Sequence, residues 1–197
     1  MCNHYRSDPV RIPSWREYIG ADPLGPEWSE TQLDIWPRKP ALIARSEDGR
    51  TVLDQMVWGV PRKMQGKRPG SMITKHITNV RNLDSPFWRS MLARPEQRCL
   101  VPFTEFAEPK IGQGREEWWF TINEAPVSCF AGIWRPSEIG NVFAFLTCEP
   151  NPLVAPLHPK AMPVILHPED YQTWLTAEGD AARALARPFP SQLMSVR

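Results

Sequence analysis

The chain begins Met-Cys-Asn-His-Tyr, and the cysteine in second place is the first residue with chemistry to offer. Once Met1 is removed, Cys2 carries a thiol and a free α-amine on adjacent carbons. An internal cysteine cannot match that pair, because its nitrogen is an amide. The plainer alternative is a small residue buried in an N-terminal strand, as unbonded cysteines often are. Further segments bring polar groups to places where a fold can hold them still. In LTCEPNPLVAPLHPKAMPVIL, residues 146–166, His158 stands between two apolar runs that read as strands. A near-neutral pKa suits a histidine to proton transfer. In RCLVPFTEFAEP an apolar strand delivers Glu105 and Glu108 close to its end. In ITNVRNLD, Asn79 and Arg81 are two apart and share a face if the piece is extended. Taken singly, each has an ordinary explanation as a structural histidine or a solvated sheet edge.

These residues need a frame, and the chain reads as α+β with strands dominating. PALIARSEDGRTVLDQMVWGVP has two β-rich arms about Asp48-Gly49, a strong two-residue turn signal. EWWFTINEAPVSCFAGIWRP reads as a second hairpin turning near 123–126. RCLVPFTEF reads as one strand, and NVFAFLTCE as a mostly apolar, central one. PSWREYIG predicts a short helix capped by Ser14, and SPFWRSMLAR a helix with Ser85 at the N-cap and Pro86 behind it. AMPVILHPEDYQTWL reads as a strand followed by a helix, and GDAARALARP as a last short helix. The 22 prolines, about twice the usual ~5% share, argue against a helical bundle.

At 197 residues the chain can bury a substantial core as one domain. No apolar run approaches the roughly 20 residues of a membrane span, and the polar N-terminus has no signal-peptide core. A cytoplasmic protein with no membrane partner is the expectation. The four cysteines, Cys2, Cys99, Cys129 and Cys148, are far apart, which argues against structural zinc and a disulfide framework. Neither a metal nor a cofactor is expected. The net charge is only +1, yet PRKMQGKRPGSMITKH concentrates Arg62, Lys63, Lys67, Arg68 and Lys75. Its Gly and Pro predict a loop, and a local patch is enough for nucleic acid.

Together these pieces resemble one family, the SOS-response-associated peptidases (SRAP). The resemblance covers most of the chain. It rests on motifs in order: Met-Cys at the start, WGVP at 58–61, NVR at 79–81, RCLVP at 98–102 and the 146–166 segment. It implies a compact, mainly antiparallel, barrel-like β domain with short peripheral helices, spanning 1–197 as a monomer. It also implies a self-cleaving protein that removes Met1 and then acts on abasic sites in single-stranded DNA. Cys2 would form a covalent thiazolidine with the lesion's aldehyde, a crosslinking and lyase-type activity in the DNA-damage response. Matched residue by residue, the implied catalytic set is Cys2, Asn79, Glu108 and His158. Glu108 lies nine residues after the cysteine of CLVP, as the family requires, and Glu105 is its rival. Arg81, Thr147, Lys160, Trp58, Lys67 and Arg68 are the implied DNA contacts.

The chemistry suits those types. An α-amine of pKa about 7.7–8.0 is partly neutral at cellular pH and can attack an aldehyde. The adjacent thiol then closes on the same carbon, with the advantage of a tethered nucleophile. The chain departs from the family in three places. Asn3-His4 replace Gly-Arg, HPKAMP is one residue longer than the usual His-x-Arg-Met-Pro with Lys160 at the arginine offset, and Ala107 and Pro109 replace aromatics. Two rival readings stand beside this one. The first is an N-terminal-nucleophile amidohydrolase resembling glutamine amidotransferases, although those have Gly-Ile soon after the cysteine. The second is a non-covalent binder of modified DNA.

Overall fold

The structure is a computed structural model and describes residues 2–23, 33–68 and 70–197. Met1, whose removal the sequence predicts, lies outside the described residues. The frame is a closed barrel. Strands Gly140–Cys148, Ser128–Ser137, Arg98–Phe103, Pro40–Glu47 and Arg50–Trp58 pair antiparallel in that order. The ring closes where the last meets the first in parallel, Val57 opposite Val142 and Trp58 opposite Phe143. Asp48 and Gly49 turn the hairpin at positive φ (49° and 77°), the backbone state that the Asp-Gly signal anticipates.

The two faces of these strands have different partners. Cys129, Ala131 and Ile133 face outward, where Trp15, Trp88, Trp174 and Leu175 from the short helices cover them. Phe130, Phe143, Phe145, Val101 and Trp58 fill the interior. Gly132 points inward as well. A Cβ there would stand 2.7 Å from Cys99 Sγ and 2.8 Å from Val101 Cγ2, so the crowded interior leaves no room for a side chain.

A second sheet lies across the barrel. Its strand order is Met194–Val196, Glu117–Ile122, Glu105–Pro109, His4–Arg6 and Asp34–Ile35. Its inner residues Tyr5 and Phe106 meet the barrel aromatics edge-on, Tyr5 against Trp58 at 5.2 Å and Phe106 against Phe130 at 5.9 Å. Burying a phenylalanine such as Phe106 contributes roughly 1.5–3 kcal/mol, which holds this sheet in place.

Several expectations are corrected. RCLVPFTEF is not one strand. It breaks at Thr104, whose amide and hydroxyl both donate to the Arg6 carbonyl (2.7 and 3.2 Å). Its first half stays in the barrel and its second half, with Glu108, joins the second sheet. The expected 117–137 hairpin does not form, because its two arms belong to different sheets. The basic stretch is no loop: Val60–Gln65 and Met72–Ile77 pair antiparallel as a hairpin. The first helix runs Ile12–Tyr18 with Arg11, not Ser14, at its N-cap. The helix Pro86–Ala93 follows Ser85 as expected.

Candidate active site

The strand His4–Arg6 is threaded between two others, His4 opposite Ala107 and Tyr5 opposite both Phe106 and Ile35. This register brings the start of the chain beside Glu108. Cys2 is fully buried, and its thiol lies 3.4 Å from the His4 carbonyl. Burial first, and the Glu108 charge second, push the thiol well above its ordinary pKa. The sulfur therefore keeps its proton at neutral pH.

Asn79 reaches Cys2 from another segment. Its two-residue strand, Asn79–Val80, lies parallel to Phe145–Leu146 of the barrel. The Asn79 amide donates to the Cys2 carbonyl (2.9 Å) and to Thr78 Oγ1 (2.8 Å). Two donated bonds fix the orientation of a buried amide that would otherwise be costly to hide.

Glu108 and His158 complete the group. Both are buried, and Glu108 Oε2 lies 3.5 Å from His158 Nε2. Burial pushes Glu108 up to about 7. Burial also lowers His158, against the opposing pull of the Ala161 carbonyl. That carbonyl lies 2.8 Å from His158 Nδ1 and can only accept, so Nδ1 carries the ring proton. The Nε2 lone pair then faces the carboxyl. A carboxyl near half-protonation beside a neutral imidazole acceptor can move a proton in either direction at neutral pH.

The remaining candidates separate. Glu105 is held by Arg6 at 2.7 Å and by Arg197 at 2.5 Å, which keep its pKa low against the effect of burial. It is a structural anion, so Glu108 is the carboxylate of this group. Trp58 does not face a ligand: it is fully buried, and its indole N–H donates to the Thr78 carbonyl (3.1 Å). Thr147 is also buried, with its hydroxyl 3.4 Å from the Val80 carbonyl, so it braces the Asn79 segment rather than meeting solvent. Arg81 is exposed where Asn79 is buried. Its exposed guanidinium pairs with Glu149. Lys67, Arg68 and Lys160 are exposed, the first two at the tip of the basic hairpin.

One part of the architecture had no clear sign in the sequence. His4 is buried, with Nδ1 2.8 Å from Glu117 and Nε2 2.9 Å from Asp34. Carboxylates only accept, so both contacts are hydrogen bonds only when both ring nitrogens carry protons. The ring also stacks on Trp36 (3.7 Å, 18°) and meets the edge of Trp119. His4 is therefore a clamp on the N-terminal strand. The alternation Asp34-Ile35-Trp36 was the available hint, but its partners lie far away in sequence. Among the described residues, no three His, Cys, Asp or Glu side chains are grouped to hold a metal ion.

Comparison with known proteins adds a family. The profile described as SOS response associated peptidase (SRAP) matches residues 1–197. Among curated proteins no sequence is similar to the chain. Solved structures that share the fold include the following three. A Bordetella bronchiseptica protein has 24% identity and a TM-score of 0.76, covering 99% of this chain and 98% of its own. A Bacteroides thetaiotaomicron protein has 20% identity and a TM-score of 0.74, covering 99% and 90%. A phage-related protein of Bordetella bronchiseptica has 19% identity and a TM-score of 0.70, covering 100% and 92%.

Proposed function

The chain belongs to the SOS response associated peptidase family, a membership that fits a DNA-damage-related function, and from that premise we propose that Cys2 is a self-exposed nucleophile that crosslinks to abasic sites in single-stranded DNA. The observation that carries this reading is the convergence on Cys2 of Asn79, Glu108 and His158 from three separate segments.

The first step is loss of Met1. Water adds to the Met1–Cys2 amide, Glu108 takes a proton from the water, and the departing Cys2 nitrogen is protonated. The new amine, in its neutral form, attacks the open-chain aldehyde of the abasic sugar. Loss of water gives an iminium. The Cys2 sulfur adds to that carbon and its proton leaves to the carboxyl–imidazole pair. A thiazolidine and one water are the products of the aldehyde and the aminothiol. A thiol that stays protonated suits this order, because the amine must react first. The neutral His158 serves ring opening of the sugar, and Asn79 holds the Cys2 backbone in register. Exposed Arg81, Lys160, Lys67 and Arg68 supply phosphate contacts, which position the strand without reading its sequence.

The test mixes mature protein with single-stranded DNA carrying one abasic site and resolves the products on a denaturing gel after heating. Wild type and Cys99→Ala give a heat-stable conjugate. Cys2→Ala gives at most a hydrolysable Schiff base, and intact DNA gives nothing. An equal heat-stable conjugate from Cys2→Ala removes the thiol from the mechanism. Release of ammonia from glutamine without any conjugate points to the amidohydrolase instead.

A further inference from the structure

The basic hairpin does more than present charge at its tip. Its arm Val60–Gln65, the helix Pro86–Ala93 and the end of the strand Ser128–Ser137 with Glu138 enclose a cleft of about 480 Å³. Arg62, Lys63 and Arg135 line it against one carboxylate, Glu138. The Lys63–Glu138 contact is 3.8 Å between side chains that are 73% and 88% exposed, so it neutralises little. At the cleft wall two guanidiniums converge on one ring. Arg62 and Arg135 stand 5.0 and 4.8 Å from the centroid of Phe87. They therefore lie within about 10 Å of each other, no more than a Debye length at 0.1 M salt, and feel their mutual repulsion. Arg135 is held in place by donating to the Pro61 carbonyl (3.0 Å), which leaves its other N–H groups for a ligand.

We propose that this cleft is a second nucleic-acid subsite, which takes the phosphates of the strand flanking the lesion. The inference rests on the crosslinking reading for what brings the strand there. The placement favours a strand that continues from the site. The arm Met72–Ile77 runs directly into Thr78 and Asn79, so the cleft and the Cys2 pocket are two ends of one segment. Arg135 pairs with Val142, and Asn79 with Phe145, on the same barrel strand. That three-residue offset is about 10 Å along the strand, with Arg135 on the outward face of Ile133 and Asn79 on the inward face of Phe145, so a strand that reaches both passes over the barrel rim. An anion between Arg62 and Arg135 relieves their repulsion, and Phe87 offers an apolar wall to the sugar. Arginine's planar fork suits phosphate better than a point charge does.

The experiment compares an abasic trinucleotide with an abasic strand of roughly 15 nucleotides, near the longest footprint of small single-strand-binding folds. Arg62→Gln changes an exposed side chain, and Lys63→Gln repeats the test away from Phe87. For wild type the longer strand binds tighter. Each variant loses about fivefold of that advantage, and the salt slope falls by about 0.7 for each phosphate that is no longer neutralised. Crosslinking of the saturating trinucleotide keeps its rate. Unchanged affinity and slope on the longer strand in both variants overturn the subsite. Displacement of the strand by polyglutamate at lower charge concentration than by a second oligonucleotide also overturns it, in favour of an acidic peptide. If wild type crosslinks neither substrate, the crosslinking reading fails, and non-covalent binding of an intact strand still decides the cleft through the same variants.

Discussion

Glu108 Oε2 and His158 Nε2 face one another at 3.5 Å, although one sits on a strand of the second sheet and the other in a connection 50 residues later. The imidazole has its lone pair at this nitrogen because the other, Nδ1–H, donates a hydrogen bond to the Ala161 carbonyl. The pair can therefore pass a proton in either sense, with Glu108 near half-protonation at neutral pH.

The first expected outcome concerns maturation. Purified wild type lacks Met1 and Glu108→Ala retains it, as read by intact mass. Complete loss of Met1 from Glu108→Ala assigns its removal to another agent.

The second concerns stability against pH. A carboxyl at about 7 when folded and about 4.3 when unfolded binds more protons in the folded state between those values. Stability is thus full below the unfolded value and falls as pH rises through the window. The loss is about 4 kcal/mol at most, from about 1.4 kcal/mol per unit. Glu108→Gln has no such carboxyl. Its urea midpoint relative to wild type rises between about pH 5 and about pH 8. His158 touches Glu108 and its lowered pKa costs stability as pH falls, so the comparison is repeated in a His158→Gln background, which removes that titration. A constant difference rejects the buried, raised carboxyl.

The third concerns the clamp. His4→Ala leaves Asp34 and Glu117 without their shared partner and strips Trp36 of its stack. Hydrogen bonds to charged groups are worth about 1.5–3 kcal/mol each, so a loss of about 2–3 kcal/mol follows in chemical denaturation. A change below about 0.5 kcal/mol, usual for surface sites, shows that the clamp holds nothing in place.

The fourth concerns Arg81. Its pairing with Glu149 must open before it meets a phosphate. Arg81→Ala weakens binding to all single-stranded sequences equally and lowers the salt slope by about 0.7. An unchanged slope removes Arg81 from the phosphate contacts.

Much of this is legible in the chain, for identifiable reasons. The Asp48-Gly49 hairpin is a local signal, since two residues at positive φ decide it. Asn79, Glu108 and His158 are recognisable by type and by resemblance; Asn79 contacts Cys2, and Glu108 faces His158. The break at Thr104 is hidden because RCLVPFTEF is apolar on both sides of it. One half turns Cys99, Val101 and Phe103 into the barrel and the other turns Phe106 onto it, so the alternation shifts by one residue at the break. The basic hairpin reads as a loop because it contains Gly and Pro, yet Gly66 and Gly70 fall between the paired arms. Trp58 lies in a motif, which suggests a contact surface. What decides its burial is Phe145, 87 residues away, stacked on it at 5.2 Å. The His4 clamp depends on Asp34 and Glu117 arriving from distant strands, and no local pattern announces that.

The register of the N-terminal strand also sets an order in time. His4, Tyr5 and Arg6 leave the ribosome first, but their partners Ala107, Phe106 and Glu105 are made about a hundred residues later. His158 follows later still. During synthesis the Met1–Cys2 bond has no carboxyl beside it. Self-processing through Glu108 thus cannot begin until the second sheet has closed over the barrel. Under the proposed self-processing, a nascent or misfolded chain would keep its amine blocked, and only a molecule that has completed its fold would release the aldehyde-reactive group.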